Sequence, residues 1–363
     1  MTSMAFTTTN TLSPIVGNQL RRSTGSSHVI QNIGQQDGTF HGDTVEFEYG
    51  GVFDGHGAGP RKHLLRDLLN AHDWTATLRT TDFHKIDKDQ DGYFPSPLFG
   101  AIQHLAWHGQ DSFASRLKGQ GATLSLYKAY NDRFEFFTSG DSTIKLYANT
   151  IESPDEFKRI FTSKDHDSFH EEDMAHLEQR EGGGNPGLRL SWRHKGQNIP
   201  NGVRRKNVWS LHATGDTDIT MKQSAYIYYD DGSVVNMTSS IGHIPSRHIL
   251  SSRYDSKMMG GSSLSLAQRS LNMETVERKE GVQYCLLIAS DGLWDISHNG
   301  DDGFFTEQIR KNPETAAKSI AEFGQKRWGQ KWTYTCPVGG DKKETVMDDS
   351  QRDDIGVTCS FFA

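Results

Sequence analysis

Cysteine is scarce in this chain. Cys285, Cys336 and Cys359 are the only three, an odd number with no short paired spacing. That excludes a disulfide framework and a zinc ribbon. Cys285 and Cys359 lie inside apolar segments and read as reduced core residues, which points to an intracellular, cytoplasmic setting. Long apolar runs are missing as well. The longest strongly apolar stretch, Cys285–Ala289, has five residues, too short to span a bilayer, so no membrane association is expected. A basic excess is also missing, since 39 Lys and Arg face 46 Asp and Glu for a formal charge of −7. A nucleic-acid partner is therefore not expected. No G-x-G-x-x-G follows a strand and no P-loop occurs, which removes the common dinucleotide and nucleotide sites. Apolar residues make up only 34%, but 36 glycines bring the total near the usual globular share. The chain can build a core, and it is rich in turns.

A length of 363 residues admits two domains or one large layered domain. The first 36 residues contain no Asp or Glu, are rich in Ser and Thr, and carry Arg21 and Arg22. Residues 1–27 read as a polar disordered tail, in a composition that overlaps with organellar transit peptides. Beyond it, strands are predicted at Thr44–Phe53, Thr123–Tyr130, Arg133–Ser139, Thr143–Tyr147, Tyr226–Tyr229, Ser233–Met237, Val282–Ser290 and Ile355–Phe362. Helices are predicted at Pro60–Ala71, Pro97–Leu117, Ser168–Arg180 and Pro313–Trp328. Asn131-Asp132 marks a β-hairpin. Hairpin-linked strands with a few long helices point to an α+β, antiparallel layered architecture and away from a parallel sheet.

The chemistry-bearing residues sit at strand ends. Asp54 follows Val52-Phe53 and precedes Gly55-His56-Gly57. Asp291 follows Leu286–Ser290 and precedes Gly292-Leu293-Trp294-Asp295. Asp141 lies in a Gly-Asp-Ser turn after Phe136–Ser139, and Asp353 and Asp354 precede the last strand. One Asp-Gly pair alone is an ordinary turn. Carboxylates at the ends of buried strands are held rigidly at the rim of the core, and several converging make a hard-cation site of oxygen ligands.

These segments recur with fixed flanks. V-F-D-G-H-G at Val52–Gly57, G-A-T at Gly121–Thr123, S-G-D-S at Ser139–Ser142, T-S-K-D-H at Thr162–His166, M-T-S-S-I-G-H at Met237–His243, A-S-D-G-L-W-D at Ala289–Asp295 and D-D-I-G-V-T at Asp353–Thr358 run in order. Over residues 28–363 the chain resembles the metal-dependent protein phosphatases of the 2C type. The resemblance implies one catalytic domain, a four-layer α-β-β-α sandwich of two antiparallel β-sheets flanked by helices. At one end it implies two Mg²⁺ or Mn²⁺ ions and a weaker third. Asp54 would bridge both ions and the Gly55 carbonyl would bind one. Asp291 and Asp353 would complete the other, and Asp141 with Asp291 would form the third site. The implied reaction is hydrolysis of phosphoserine and phosphothreonine in phosphoprotein substrates, by attack of a water bridging two metals, in a monomer. His56 would protonate the leaving alkoxide. Physical chemistry agrees: paired cations generate hydroxide at neutral pH, an alkoxide leaving group calls for a general acid, and no nucleophilic cysteine is needed. The plain alternative for His56 is a turn histidine bound to a neighbouring carboxylate.

The chain also departs from the family pattern. Asn32-Ile33-Gly34-Gln35-Gln36-Asp37 stands where the family has an arginine and an acidic pair. Asp37 is kept to orient water, Gln36 replaces an acid, and Asn32 replaces the phosphate-clamping arginine. Thr143 replaces an arginine after Gly-Asp-Ser, and Ser239 and His243 replace Arg and Asp. No metal ligand is lost, which favours an active phosphatase over a catalytically impaired relative serving as a regulatory binding module. Asp87-Lys88-Asp89-Gln90-Asp91-Gly92 is half of an EF-hand loop, but Leu98 occupies the place of the bidentate Glu, so it reads as an acidic turn or a structural cation site rather than a calcium sensor. The Asn236-Met237-Thr238 sequon falls inside a family motif and reads as chance.

A flap-like insertion, residues 184–233, carries Arg189, Arg193, Lys195, Arg204, Arg205 and Lys206. It is either a solvated loop or a basic flap that supplies the missing phosphate-binding cation. Replacing Arg204 and Arg205 together is expected to raise KM for a phosphopeptide. An unchanged KM would remove the flap from substrate recognition.

Overall fold

Most central strands of this protein are buried on both faces, and that pattern decides the layering. The structure, a computed structural model, describes residues 24–32, 34–57, 64–83, 120–167, 272–335 and 342–363, with short segments at 188–191, 193–194, 197–198, 209–213, 218–221, 226–229, 234–235, 237 and 240–242. The principal strands are β1 (Thr24–Ile30), β2 (Gly38–Asp43), β3 (Glu48–Phe53), β4 (Leu124–Ala129), β5 (Arg133–Ser139), β6 (Thr143–Ala148), β7 (Lys158–Thr162), β8 (Trp209–Ala213), β9 (Asp218–Met221), β10 (Asn272–Glu277), β11 (Tyr284–Ala289), β12 (Lys331–Thr335), β13 (Lys342–Val346) and β14 (Ile355–Phe362). The helices are α1 (Leu64–Ala71), α2 (Trp74–Thr80), α3 (Asp291–Trp294), α4 (Asp302–Lys311) and α5 (Ala316–Trp328). One antiparallel sheet runs β1-β14-β11-β6-β7 and the other β10-β5-β4-β3-β2.

Alternation along the strands sorts the core into three interfaces. Ile144, Leu146, Leu286 and Ile288 of the first sheet meet Val52, Tyr127, Phe134 and Phe136 of the second. Their neighbours Tyr147, Cys285, Leu287, Val357 and Cys359 turn the other way, onto Leu293, Phe305, Ile320 and Trp328 of α3, α4 and α5. On the far side, Tyr49, Phe53, Leu124, Leu126 and Phe137 pack against Leu65 and Leu69 of α1 and Trp74 and Leu78 of α2. Helices, sheet, sheet and helices thus form four layers, the α+β sandwich expected from the sequence. No helix among the described residues is long and apolar enough to cross a membrane.

The expected strands recur with small shifts. Arg133–Ser139 and Ile355–Phe362 match residue for residue, and Tyr130 N donates to Arg133 O at 2.8 Å, closing the Asn131-Asp132 hairpin. The expected strand from Thr44 begins only at Glu48, because Thr44 Oγ1 accepts from Glu46 N and Phe47 N and turns the chain. The helix expected from Pro313 begins at Ala316. The tail boundary at residue 27 falls inside β1, which starts at Thr24. Polar composition hid this strand: its Ser26 Oγ donates to Pro313 O and accepts from Ala317 N at the start of α5. The helices expected at Pro97–Leu117 and Ser168–Arg180 lie outside the described residues. Three described α-helices had no sequence expectation: α2, capped by Asp73 Oδ1 accepting from Ala76 N, the short α3, and α4.

A polar knot joins the two sheets. Buried Tyr127 donates its hydroxyl to Glu48 Oε1 at 2.6 Å and lies 2.7 Å from Ser360 Oγ. Tyr127→Phe removes a bond to a buried carboxylate and is expected to lower the unfolding free energy by about 1–3 kcal/mol. Urea denaturation measures this, and an unchanged midpoint would contradict a structural role for the knot.

Candidate metal and active site

The acidic residues gather because the strands that carry them end together. Asp54 leaves β3 of the second sheet, while Asp291 leaves β11 and Asp353 enters β14 as neighbours in the first. Asp141 sits where the chain crosses from β5 in one sheet to β6 in the other. Asp37 lies just before β2 and is 1% exposed. Buried, hydrogen-bonded strands leave these positions little freedom to retreat from one another.

Local bonds fix each carboxylate. Asp54 N donates to Thr123 Oγ1 at 3.0 Å, and Thr123 N returns to Asp54 O at 2.8 Å. Gly55-His56 pairs with Gly121-Ala122, which pairs in turn with Ile241-Gly242. Three of the sequence motifs therefore meet in one small sheet. Gly140 takes a φ of +107°, and its N–H donates to His166 Nδ1 at 3.2 Å. This aims Asp141 from a turn that only glycine enters at low cost. Gly292 lets α3 reach the last strand, since a Cβ there would lie 2.0 Å from Asp354 O.

Asp353 and Asp354 do different work. The Asp354 carboxylate accepts from Asn32 N at 2.5 Å and from Gln36 N at 2.7 Å, clamping the loop that presents Asp37. Asp353 is exposed at the mouth and belongs to the acidic group. Asn32, which stands in place of a phosphate-clamping arginine, donates through its side chain to Asp353 O. Thr143 donates to Asp165 Oδ1 at 2.7 Å.

The site's electrostatics are those of crowded carboxylates. Burial, followed by the charges of Asp37, Asp291 and Asp353, pushes Asp54 well above the usual carboxylate range. Burial and Asp353 do the same to Asp37, and burial with Asp291 and Asp141 to Asp295. Asp141 is pushed up to about 7 by burial and by Asp165. Asp291 rises through burial and Asp141. Asp353 rises through burial of its carboxyl group and the Asp291 charge, although the residue as a whole is exposed. Both oxygens of Asp37 and one each of Asp141 and Asp291 are buried without a hydrogen-bond partner. Unsatisfied buried carboxylate oxygens are costly, and a bound cation resolves them. The oxygen-rich donor set and its orphaned atoms fit Mg²⁺ or Mn²⁺. Among the described residues no group of three or more His, Cys, Asp or Glu side chains lies close enough to hold an ion as it stands; the carboxylates form an acidic basin.

His56 borders this basin. Its Nδ1 lies 3.1 Å from Asp54 O and its Nε2 3.8 Å from Asp54 Oδ2. Burial lowers its pKa, and the charges of Asp291 and Asp353 oppose that shift. Of the residues singled out from sequence, Asp37, Asp54, Gly55, His56, Asp141, Asp291 and Asp353 are found at this end. Arg204, Arg205, Ser239, His243 and Asp87–Gly92 lie outside the described residues. The charges of Asp165 and Asp167 act on Asp141, and Asp291 and Asp141 act on Asp295, so these three carboxylates also lie beside the basin. They stood inside or beside quoted motifs, but only the fold shows their direction.

The raised carboxyls bind protons more tightly in the folded chain than in the unfolded one. Between the usual carboxylate value near 4 and about 7, the native state therefore holds more protons and its stability falls as pH rises. The cation-free protein is expected to lose Tm from about pH 5 to about pH 8, with saturating Mn²⁺ flattening the slope. Thermal scans in EDTA and in Mn²⁺ check this, and a Tm rising with pH across that window would contradict the charge-crowding account.

No protein-family model and no curated protein matches the chain. Solved structures do. A sex-determining protein of C. elegans aligns at 15% identity with a TM-score of 0.52, covering 96% of this chain and 67% of that one. A serine-threonine phosphatase 2C from Toxoplasma gondii aligns at 14% identity with a TM-score of 0.54, covering 95% of this chain and 96% of that one. The chain has the fold of these proteins, paired antiparallel sheets between layers of helices, over nearly its whole length.

Proposed function

We propose that this protein is a metal-dependent protein serine/threonine phosphatase acting on phosphoproteins. The observation that carries the reading is the convergence of Asp37, Asp54, Asp141, Asp291 and Asp353 at one end of the sandwich, with buried carboxylate oxygens left unpaired. Asp54, the Gly55 carbonyl, Asp291 and Asp353 would hold two divalent cations, and Asp141 with Asp291 and Asp295 a weaker third. When bound, the cations would make a hydroxide nucleophile available at neutral pH and would offset the charge of the phosphoryl group.

The chain's own residues do the rest. Asp37 presents two unpaired acceptor oxygens that can orient the attacking water by taking its hydrogen bonds. His56, with Nδ1 3.1 Å from Asp54 O and Nε2 3.8 Å from Asp54 Oδ2, borders the carboxylates and would serve as the general acid that protonates the serine or threonine alkoxide. Asn32 binds the backbone at Asp353 and stabilises the loop. It cannot reproduce the two-pronged grip of an arginine on phosphate, so the cost falls on substrate affinity more than on turnover. Arg204 and Arg205 are the proposed source of a replacement cation.

Purified protein is expected to hydrolyse p-nitrophenyl phosphate and a phosphothreonine peptide only with Mn²⁺ or Mg²⁺. Asp54→Ala, Asp291→Ala and Asp353→Ala should each lower kcat/KM by more than about 100-fold, beyond the loss typical of outer-shell partners. His56→Ala should lower kcat by about 10²–10⁴. A folded protein that binds Mn²⁺ tightly and hydrolyses neither substrate would instead make this fold a regulatory binding module.

A further inference from the structure

Two adjacent residues at the end of α5 hold both ends of the turn that carries Asp291 and Asp295. Trp328 is 4% exposed and donates its indole N–H to Gly292 O at 2.7 Å. Arg327 is 5% exposed, and its Nη1 donates to Ile296 O at 2.9 Å. Gly292 follows Asp291 and Ile296 follows Asp295, so each bond lands one peptide unit beyond a carboxylate of the basin. The guanidinium is fixed in its own right. It grips Asp301 at 2.6 and 3.1 Å, lies 3.2 Å from His298 Nε2, and packs over the Phe323 ring. The helix comes close because Gly324 faces Leu293 and Ile355, where even a Cβ would be tight at 3.0 Å.

The same helix end is tied to chain that lies outside the two large sheets. Trp332 of β12 is fully buried and donates its indole N–H to Arg327 O at 3.1 Å. Strand β12 belongs to a third antiparallel sheet, β9-β8-β12-β13, in which β8 and β9 come from the stretch spanning the basic insertion. A continuous hydrogen-bonded path therefore runs from this added sheet through Trp332, Arg327 and Trp328 to the Asp291–Ile296 turn.

We propose that Arg327 and Trp328 are positioning residues for the cation site: they hold the backbone that carries Asp291 and Asp295 in place beside the other carboxylates. The inference rests on the proposed metal-dependent function. Neither side chain touches the basin. Each acts through a backbone carbonyl, and a hydrogen bond to a buried carbonyl is directional enough to set a turn. A turn released from these bonds relaxes outward under the mutual repulsion of its carboxylates, and cation affinity falls before packing fails.

The test is Mn²⁺ titration by calorimetry, with Tm in EDTA recorded beside it. Trp328→Phe keeps a six-membered aromatic ring and deletes the N–H donor together with the five-membered ring that carries it. Arg327→Lys keeps the charge and loses the fork that spans Ile296 O and Asp301. Each is expected to weaken Mn²⁺ binding about tenfold, roughly 1.4 kcal/mol. At saturating Mn²⁺, KM for the phosphopeptide should stay within about twofold of wild type, since these residues do not contact substrate. Tyr147→Phe removes a hydroxyl bond to Asp302 in the same layer and serves as a control that lowers Tm without moving the Mn²⁺ affinity. Unchanged Mn²⁺ affinity in Trp328→Phe and Arg327→Lys, with only Tm lowered, would overturn the proposal and leave both residues as core supports. Wild type that binds Mn²⁺ but hydrolyses nothing would refute the phosphatase reading and leave the positioning role standing, whereas wild type that binds no Mn²⁺ would refute both.

Discussion

Like charge held at close quarters is the constraint on which the rest of this structure depends. Asp37, Asp54, Asp141, Asp291, Asp295 and Asp353 raise one another's pKa values through burial and repulsion. An isolated loop bearing such a set would spread apart. Here the carboxylates are set at the ends of strands whose two faces are both buried, in the interfaces between sheets and between sheet and helices. The apolar contacts of the sandwich, at about 25 cal/mol per Å² of buried surface, oppose the repulsion at its rim. Divalent cations would turn that electrostatic cost into binding free energy.

The supporting bonds have one character. Asp354 spends its carboxylate on two backbone N–H groups, Thr123 and Asp54 exchange bonds across a strand end, and His166 meets the Gly140 amide. Arg327 and Trp328 grip the Asp291–Ile296 turn from behind. Each spends a side chain on fixing backbone, which leaves the Asp37, Asp141 and Asp291 oxygens free to face inward.

Much of this was legible in the sequence, for a physical reason. An Asp-Gly step after a short apolar run is by itself an ordinary turn, but its recurrence in order with fixed flanks marked Asp54 and Asp291 as carboxylates at the ends of buried strands. Arg133–Ser139 and Ile355–Phe362 carried clean strand patterns to their ends. Other features need three-dimensional partners. The assignment of Asp353 to the basin and Asp354 to the Asn32–Gln36 loop depends on which way two adjacent side chains point. Asp165 is brought in by the pairing of β6 with β7. Strand β1 looks like polar tail until Ser26 and Gly25 are seen against β14 and the start of α5. Helix α2 carries three threonines in seven residues, which weakens its helical pattern, and it forms because Trp74 stacks on Phe40 with ring centroids 4.1 Å apart. The bonds from α5 to the Asp291 turn span about thirty residues and leave no local trace.

A basin of crowded, proton-holding carboxylates would exchange its protons for divalent cations. Calorimetric titration with Mn²⁺ near pH 6.5, repeated in buffers of different ionisation enthalpy, measures that exchange directly. Binding with net proton release, lost in Asp54→Ala, is the expected result. Binding with no proton release, or release that survives Asp54→Ala, would contradict it.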